Sequence, residues 1–313
     1  MLSANLYMVD TRIRCGPMII DTHVHIWKRT MYPDVIIDAY LEPLVLLDKL
    51  YFQGGEGEKD WLTSETDEKE LVQNMGVAKI DKAVILPLDF GMVGPVKQGV
   101  EEFNDWIFET CAPYPEKLLP FIGVDPQRGE AAIRLVNKYV KKSDAKGVKV
   151  YPPTGWHPDE ERLEPFWDLL DDLGMVVVTH SGAVWGPLNE ELSRPSYYTK
   201  VLDKHDRLKL VIAHMGGKFR EEMFPILANY PNAYTDCSAL QGWLPSNPDM
   251  VVSRLKEAAE RIPDRIFFGT DWPLFELAFS QPYFIELIKA QPWGSDEMKE
   301  RLFSGNFERM MQK

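Results

Sequence analysis

Eight short apolar runs, rich in valine and isoleucine, recur along the chain, and each is followed by a polar residue. Stretches between them show a helical pattern instead. Within 158–173, Leu163, Phe166, Leu170 and Leu173 are spaced three or four positions apart, as on one buried helical face. Strands that alternate with helices of this length predict a parallel sheet covered by crossover helices. The apolar runs lie at 18–25, 80–88, 118–125, 147–151, 175–181, 208–214, 233–238 and 265–271.

Eight strand–helix units predict an α/β protein built as a closed (β/α)8 TIM barrel, a fold that typically takes about 250 residues. The chain has 313 residues and therefore has room for additions. No Gly-x-Gly-x-x-Gly motif follows the first strand, which disfavours an open dinucleotide-binding sheet. We expect one domain over residues 1–313. A lid-like insertion is expected at about 27–66 after the first strand, because long loops in compact domains commonly cover binding sites.

The composition is that of an ordinary globular chain with an acidic excess. There are 48 acidic against 35 basic residues, a net charge of −13, which argues against a nucleic-acid or anionic-membrane partner. No apolar run approaches the roughly 20 residues of a membrane span. The first 17 residues lack the apolar core of a secretory signal, and three cysteines are too few for a disulfide framework. We therefore expect a reduced, cytoplasmic protein that acts on a small molecule.

The first predicted strand carries a His-x-His pair, His23 and His25. Alternate residues of a strand point to the same face, so both imidazoles would project into the barrel. Two neighbouring imidazoles suit Zn²⁺, Mn²⁺ or Fe²⁺. Taken alone, the pair could equally be two packed histidines at a polar strand edge.

Three further polar residues end later predicted strands. His180 ends the fifth, His214 the sixth and Asp271 the eighth. Active sites of such barrels are built at the carboxyl ends of the strands. Because four of the six histidines and one aspartate fall at matching strand ends, the pattern indicates a metal site. The other two histidines lie in a loop and near a helix end.

On these residues and the motifs that contain them, the chain resembles the amidohydrolase superfamily. The resemblance is to the amidohydrolase-related branch, which contains aminocarboxymuconate-semialdehyde decarboxylase and the resorcylate-type decarboxylases, and it spans about 18–311. It implies one divalent metal, most often Zn²⁺ with Mn²⁺ possible, held by His23, His25, His180 and Asp271, and a catalytic His214 beside it. The motifs are Asp-Thr-His-Val-His at 21–25, Gly-Val-Lys-Val-Tyr-Pro at 147–152, Thr-His-Ser-Gly at 179–182, Ala-His-Met-Gly-Gly at 213–217, Gly-Thr-Asp-Trp-Pro at 269–273 and Gly-Asn at 305–306.

Lys149, on the fourth predicted strand, has two interpretations. In binuclear members of the superfamily a lysine on this strand is carboxylated and bridges two metals, and His180 and His214 would then hold the second. Alternatively, Lys149 is an unmodified cation that faces a substrate carboxylate or oxyanion. We favour a single metal ion.

The predicted site can carry out two reactions. A metal ion lowers the pKa of a bound water towards ~7, Asp271 can take and return its proton, and His214 can stabilise an oxyanion. This chemistry predicts hydrolysis of an amide, ester or lactone, which we favour slightly because of Lys149. The alternative, which the resemblance implies, is non-oxidative decarboxylation of an aromatic or muconate-like acid, with Asp271 protonating carbon. A third possibility is a catalytically inactive metal-binding barrel.

Residues near the predicted strand ends provide candidate substrate contacts. Aromatic Trp27, Tyr151 and Trp185 suit a flat substrate, although each could simply pack the rim of the barrel. Lys218 and Arg220 follow His214 and could bind a carboxylate, or could be solvated charges at a helix start. Because relatives in the superfamily often dimerise, a homodimer is also expected.

Overall fold

The computed structural model describes residues 16–41, 65–275 and 281–312. Its strands are short, and every pair within the two sheets is parallel. One sheet has the order β1-β2-β3 and the other β4-β5-β6-β7-β8-β9. The strands are β1 (Ile20–Val24), β2 (Lys82–Ile85), β3 (Leu118–Pro120), β4 (Ile122–Gly123), β5 (Gly147–Val150), β6 (Val176–Thr179), β7 (Lys209–Ile212), β8 (Ala233–Asp236) and β9 (Ile266–Phe267).

Backbone contacts at two places join these sheets into a barrel. Between β3 and β4, Phe121 interrupts the third predicted strand, and its N–H donates to Ile85 O at 2.9 Å. At the other seam, Thr22 N–H donates to Phe268 O at 3.0 Å, and Val24 forms a parallel bridge with Trp272. All eight predicted apolar runs therefore contribute to the barrel, with the third divided in two. The predicted (β/α)8 barrel is confirmed.

Helices cover the outside of the barrel. Their ends follow ordinary capping rules: the Asp67 carboxylate accepts from Lys69 N and Glu70 N, and Asn247 caps the helix that begins at Pro248. The α-helices are Asp34–Ile36, Glu68–Ala78, Val100–Cys111, Glu130–Ser143, Glu164–Asp172, Thr199–Lys204, Arg220–Asn229, Pro248–Arg261, Gln281–Ala290, Asp296–Glu300 and Asn306–Gln312.

The helix predicted within 158–173 is shorter than its pattern. A 3-10 turn, Glu161–Leu163, leads into the α-helix that ends at Asp172. Phe166 and Leu170 are buried as expected, but Leu173 is 40% exposed. Leu173 is the C-cap of this helix, so the last position of the periodic pattern lies beyond the buried face.

The core has two layers, separated by the strands. The outer layer packs strands against helices and includes Val148, Leu170 and Leu210. The inner layer fills the amino-terminal end of the barrel, and Phe307 and Met310 of the last helix close it from below. The other buried members of the inner layer are Ile20, Val84, Leu86, Phe121, Val176, Val178, Val211, Tyr234 and Phe267.

The predicted insertion at 27–66 lies largely outside the described residues. Its two ends meet, because Trp27 N–H donates to Thr66 O at 3.2 Å and Thr66 N–H donates back at 3.1 Å. Its described beginning holds the helical turns Arg29–Met31, Asp34–Ile36 and Ile37–Leu41. Its role as a lid stays a prediction. No helix in the described ranges combines the length and the apolar character that a membrane span requires.

Candidate metal centre

A shift in the register between β1 and β2 lets the side chains of the His-x-His pair point into the barrel. The pairing of β1 with β2 slips between Asp21 and Val24. Ile20 therefore lies in the inner layer, while Val24 packs in the outer layer. His23 and His25 are both buried, with ring centroids 5.1 Å apart. The two imidazoles are neighbours, as the alternation of the strand predicts.

The other three predicted residues join this pair in one group, here called the histidine–aspartate cluster: His23, His25, His180, His214 and Asp271. All are buried except His214, which is partly exposed. Asp271 Oδ1 lies 2.9 Å from His25 Nε2 and 3.5 Å from His23 Nε2. His214 Nε2 lies 3.2 Å from His180 Nδ1. Within the cluster, His23, His214 and Asp271 each offer one ligand atom, and these three atoms lie within 4.8 Å of one another. This set differs from the ligand set that the resemblance implies, which has His25 and His180 in place of His214 and remains a proposal.

Two residues of the cluster have a strained backbone. Asp271 has φ 65° and His214 has φ 58°, in the left-handed region that costs a non-glycine residue about 1–2 kcal/mol. Hydrogen bonds hold both: Asp271 N–H donates to His23 O at 2.8 Å, and His214 N–H donates to Asp236 Oδ1 at 3.0 Å. Strain maintained in this way is typical of functional sites, because the surrounding structure must offset it.

Hydrogen bonds set the tautomers of the His-x-His pair. His23 Nδ1–H donates to Asp236 Oδ2 at 2.9 Å, and His25 Nδ1–H donates to the carbonyl oxygen of Leu86 at 2.5 Å. The Nε2 lone pairs of both rings therefore face the Asp271 carboxylate. Acceptor atoms at these distances repel one another unless a cation or a shared proton lies among them, and this second layer of hydrogen bonds is typical of metal-binding histidines.

The charge state of the cluster also suits a metal. Burial lowers the pKa values of His23, His180 and His214 well below their usual range, so these imidazoles are neutral, which is the form that binds metal. His180 Nε2 is buried and has no hydrogen-bond partner in the part of the chain that the structure describes. A buried lone pair without a partner is costly, and a metal ion would satisfy it. Imidazole and carboxylate donors fit Zn²⁺ or Mn²⁺.

Lys149 touches this cluster from β5. Its Nζ lies 3.2 Å from His23 Nε2, and its side chain is fully buried. Burial lowers the pKa of Lys149 to about 8, against the opposing attraction of Asp236 and Asp271. The amine therefore competes with a metal for the His23 lone pair, and it competes most strongly when it is protonated.

Sequence reasoning missed Asp236, Ser238 and Asp21, which are all buried beside the cluster. Asp236 and Ser238 contact His23 and His214. The sequence pattern that could have identified them is their spacing of two and four positions from Tyr234, which also points into the barrel. Asp21 accepts from Thr270 N at 3.0 Å and from Thr270 Oγ1 at 2.6 Å, which ties β1 to the loop that carries Asp271. Burial raises the pKa of Asp21 to about 7.

Two of the three predicted aromatic contacts belong to a continuous run of rings, here called the aromatic series: Trp27, Tyr32, Phe90 and Tyr151. Trp27 stacks on Tyr32 at 5.9 Å, and Tyr32 meets Phe90 edge-on at 5.3 Å. Phe90 meets Tyr151 at 5.1 Å, and Tyr151 stacks on His180 at 4.4 Å. Sequence reasoning missed Tyr32 and Phe90. Trp185 is half-buried against the hydrophobic core.

The predicted carboxylate-binding cations are already paired. Lys218 contacts Glu190, and Arg220 contacts Glu257 at 2.6 Å and Glu221 at 3.0 Å. Neighbouring carboxylates therefore balance both charges. The structure brings neither residue into the cluster, and their role in substrate binding stays a prediction.

Comparison with known proteins agrees with this site. A family model described as amidohydrolase matches residues 20–311. The chain belongs to the amidohydrolase family. Membership confirms the predicted class, a metal-dependent enzyme that is a hydrolase or a carboxy-lyase. A comparison with curated proteins finds no significant match.

Solved structures show the same barrel fold. An uncharacterised TIM-barrel protein from Bordetella bronchiseptica is 19% identical, with a TM-score of 0.71 over 94% of this chain and 98% of that one. The 5-carboxyvanillate decarboxylase of Sphingomonas paucimobilis is 15% identical, with a TM-score of 0.66 over 95% and 99%. A dihydroxybenzoic acid decarboxylase from Polaromonas, with bound manganese and 2-nitroresorcinol, is 18% identical, with a TM-score of 0.63 over 95% and 97%. At these identities the likeness establishes the fold.

Proposed function

We propose that the protein is a metal-dependent, non-oxidative decarboxylase of an aromatic acid with a hydroxyl group next to its carboxylate. The observation that carries the proposal is the aromatic series, which ends with Tyr151 stacked on His180 of the cluster. A flat ring can lie against such faces while its polar groups point to the metal donors. The decarboxylases of carboxyvanillate and dihydroxybenzoic acid among the similar structures support the same reading.

The cluster supplies the groups that this reaction needs. A bound divalent ion would supply positive charge for the carboxylate and hydroxyl oxygens of the substrate. Asp271 would hold a proton and deliver it to the ring carbon that bears the carboxylate. A C–H bond forms there, the C–C bond to the carboxylate breaks with its electron pair returning to the ring, and CO₂ leaves. The proposed ligands are His23, His25, His180 and Asp271.

The remaining residues of the site orient the substrate and exclude water. His214, partly buried between His23 and His180, would contact a substrate oxygen. Phe90 and Tyr151 are buried, and their apolar faces would shield the ring carbon from solvent. A site that excludes water strengthens its own electrostatic interactions, which favours proton transfer to carbon.

Hydrolysis is the second candidate, and one observation favours it. Because burial lowers the pKa of Lys149 to about 8, part of the amine is neutral near physiological pH, and a neutral amine can add CO₂ to form a carbamate. Carboxylated Lys149 would bridge two ions, with His180 and His214 on the second. We propose the unmodified amine and one ion, because Lys149 Nζ already contacts Nε2 of His23, one of the proposed ligands, at 3.2 Å.

The decarboxylase proposal is tested by product analysis. Protein reconstituted with Mn²⁺ or Zn²⁺ is incubated with 2,6-dihydroxybenzoate and 5-carboxyvanillate, and CO₂ and the phenolic product are measured. In D₂O the product should carry one deuterium at the carbon that lost the carboxylate. Metal-stripped protein is the control. Turnover of lactones, esters or N-acyl compounds without CO₂ release from any hydroxy acid would favour the hydrolase instead.

Lys149→Met separates the two roles of the lysine. The variant should keep about one metal ion per chain and lose about tenfold or more in turnover, because it lacks the amine but no ligand. Elemental analysis and intact mass measurement, with ¹³C-bicarbonate added, are the readouts. Two ions per chain in the natural protein, together with a carbamate carbon signal, would support the hydrolase candidate.

A further inference from the structure

Asp236, on β8, accepts hydrogen bonds from two histidines of the cluster. Its side chain is fully buried. Oδ2 accepts from His23 Nδ1–H at 2.9 Å, and Oδ1 accepts from the backbone N–H groups of His214 and Ser238, both at 3.0 Å. Oδ1 also accepts from the Ser238 hydroxyl. Every one of these partners is a donor, so the carboxylate acts only as an acceptor.

The Ser238 hydroxyl links Asp236 to His214 and determines which of the two His214 ring nitrogens carries the hydrogen. A hydroxyl has one hydrogen, and here that hydrogen points to Asp236 Oδ1. Ser238 Oγ can therefore only accept from His214 Nδ1, which lies at 2.8 Å, and from the more distant His23 Nδ1 at 3.2 Å. The hydrogen of neutral His214 is thereby placed on Nδ1.

The tautomer of His214 in turn determines that of His180. With its hydrogen on Nδ1, His214 presents a lone pair at Nε2, 3.2 Å from His180 Nδ1. His180 must then donate from Nδ1, which leaves its own lone pair on Nε2, the buried atom that has no hydrogen-bond partner in the described residues. The direction of hydrogen bonding thus runs from His180 through His214 and Ser238 to Asp236.

We infer that Asp236 and Ser238 are positioning residues that set the tautomers of three imidazoles in the cluster. Asp236 acts directly on His23, and acts through Ser238 on His214 and His180. The effects on His23 and His180 leave the Nε2 lone pair of each of these proposed ligands free for the metal, and the effect on His214 connects Ser238 to His180. This inference rests on the proposed metal site and is independent of whether the reaction is decarboxylation or hydrolysis.

The test compares Asp236→Asn and Ser238→Ala with a matched control, Cys237→Ala. Cys237 lies between the two residues, is equally buried, and packs in the outer layer away from the cluster. Long-range ¹H–¹⁵N NMR of histidine-labelled, metal-free protein reports the tautomer of each ring. Titration with Zn²⁺ or Mn²⁺ against a competing chelator reports affinity. Neither measurement uses a substrate, so the result does not depend on the decarboxylase proposal.

The two variants should differ in which rings they change. In the natural protein His23, His214 and His180 should all carry hydrogen on Nδ1. Ser238→Ala should move His214 and His180 towards the Nε2–H form and leave His23 unchanged, because His214 loses its acceptor whereas His23 keeps the closer Asp236 Oδ2. Asp236→Asn offers an amide donor to His23 and should alter all three rings. Loss of these outer hydrogen bonds should weaken metal binding about 10- to 100-fold, and Cys237→Ala should not.

An Nε2–H tautomer of His23 or His214 in the natural protein would overturn the inference. So would unchanged tautomers and unchanged metal affinity in both variants. If Asp236→Asn does not fold, Ser238→Ala still decides the matter, because a merely structural role for Ser238 would leave the hydrogen positions of His214 and His180 unaltered.

Discussion

The two ends of the barrel interior are lined by the same strands but differ in chemistry. At the amino-terminal end, Ile20, Val178 and Phe267 belong to the apolar inner layer. Two to four residues further along the same strands, His23, His180 and Asp271 form part of the histidine–aspartate cluster. Strand alternation places Val178 and His180 on the same side, and a register slip in β1 does the same for Ile20 and His23, whereas Asp271 lies in the loop that follows β9. One set of strands therefore carries both the apolar inner layer, here called the floor, and the histidine–aspartate cluster with Lys149, here called the rim.

The two ends of the barrel contribute to the stability of the folded protein with opposite sign. The floor buries aliphatic and aromatic side chains at high packing density, which stabilises the fold. The rim buries neutral imidazoles, a carboxylate and a lysine, and holds Asp271 and His214 in left-handed conformations. Both features cost free energy in the metal-free protein. Substitutions in the floor should therefore affect folding, and substitutions in the rim should affect metal binding and turnover.

The largest effect is expected from His23→Ala in the rim. Removing this donor should abolish stoichiometric metal binding and turnover while the fold remains, because the apolar floor is untouched. Elemental analysis and circular dichroism are the measurements. His157→Ala is the matched control, since His157 contacts Tyr197 away from the cluster. Normal metal content in His23→Ala would show that the ion binds elsewhere.

Asp271→Asn should have the next largest effect. The amide keeps the size and one ligand oxygen but cannot act as proton carrier, so metal binding should weaken while turnover falls by a factor on the order of 10² or more. Steady-state kinetics at saturating metal is the measurement. Near-normal turnover would mean that another group transfers the proton, and His214 would be the next candidate.

Phe267→Ala tests the floor. Phe267 is buried between Tyr234, with ring centroids 5.3 Å apart, and Phe307, at 5.7 Å. The cavity should lower the free energy of unfolding by about 3–5 kcal/mol and leave metal content per folded chain unchanged. The measurement is denaturant unfolding of Phe267→Ala, compared with that of His23→Ala. A floor variant that loses metal while still folded would show that the two ends are coupled.

Arg220→Ala should have the smallest effect. The guanidinium is paired with Glu257 and Glu221, and such pairs near the surface contribute at most about 1 kcal/mol. We expect KM to stay within about twofold of the natural protein. A rise in KM of tenfold or more for an aromatic acid would instead establish the role in carboxylate binding that the sequence predicts.

The arrangement of the cluster was partly predictable from the sequence. His23, His25, His180, His214 and Asp271 each follow an apolar run, and the closed barrel brings them together as expected. The tautomers and the compact donor set could not be predicted, because they depend on contacts such as that between His23 and Asp236, 213 positions apart. The pairing of Lys218 and Arg220 with glutamates likewise depends on neighbouring loops.

The periodicity of the elements and the polar residues at strand ends can be read from the amino-acid sequence, because both are local properties of the chain. Which atoms meet depends on how the chain folds. The slip in β1, the hydrogen bonds of Asp236 and Ser238, and the joining of Tyr32 and Phe90 into the aromatic series all arise when the barrel closes. Distant segments then contact one another at hydrogen-bonding and van der Waals distances, where shifts of about 1 Å change the chemistry.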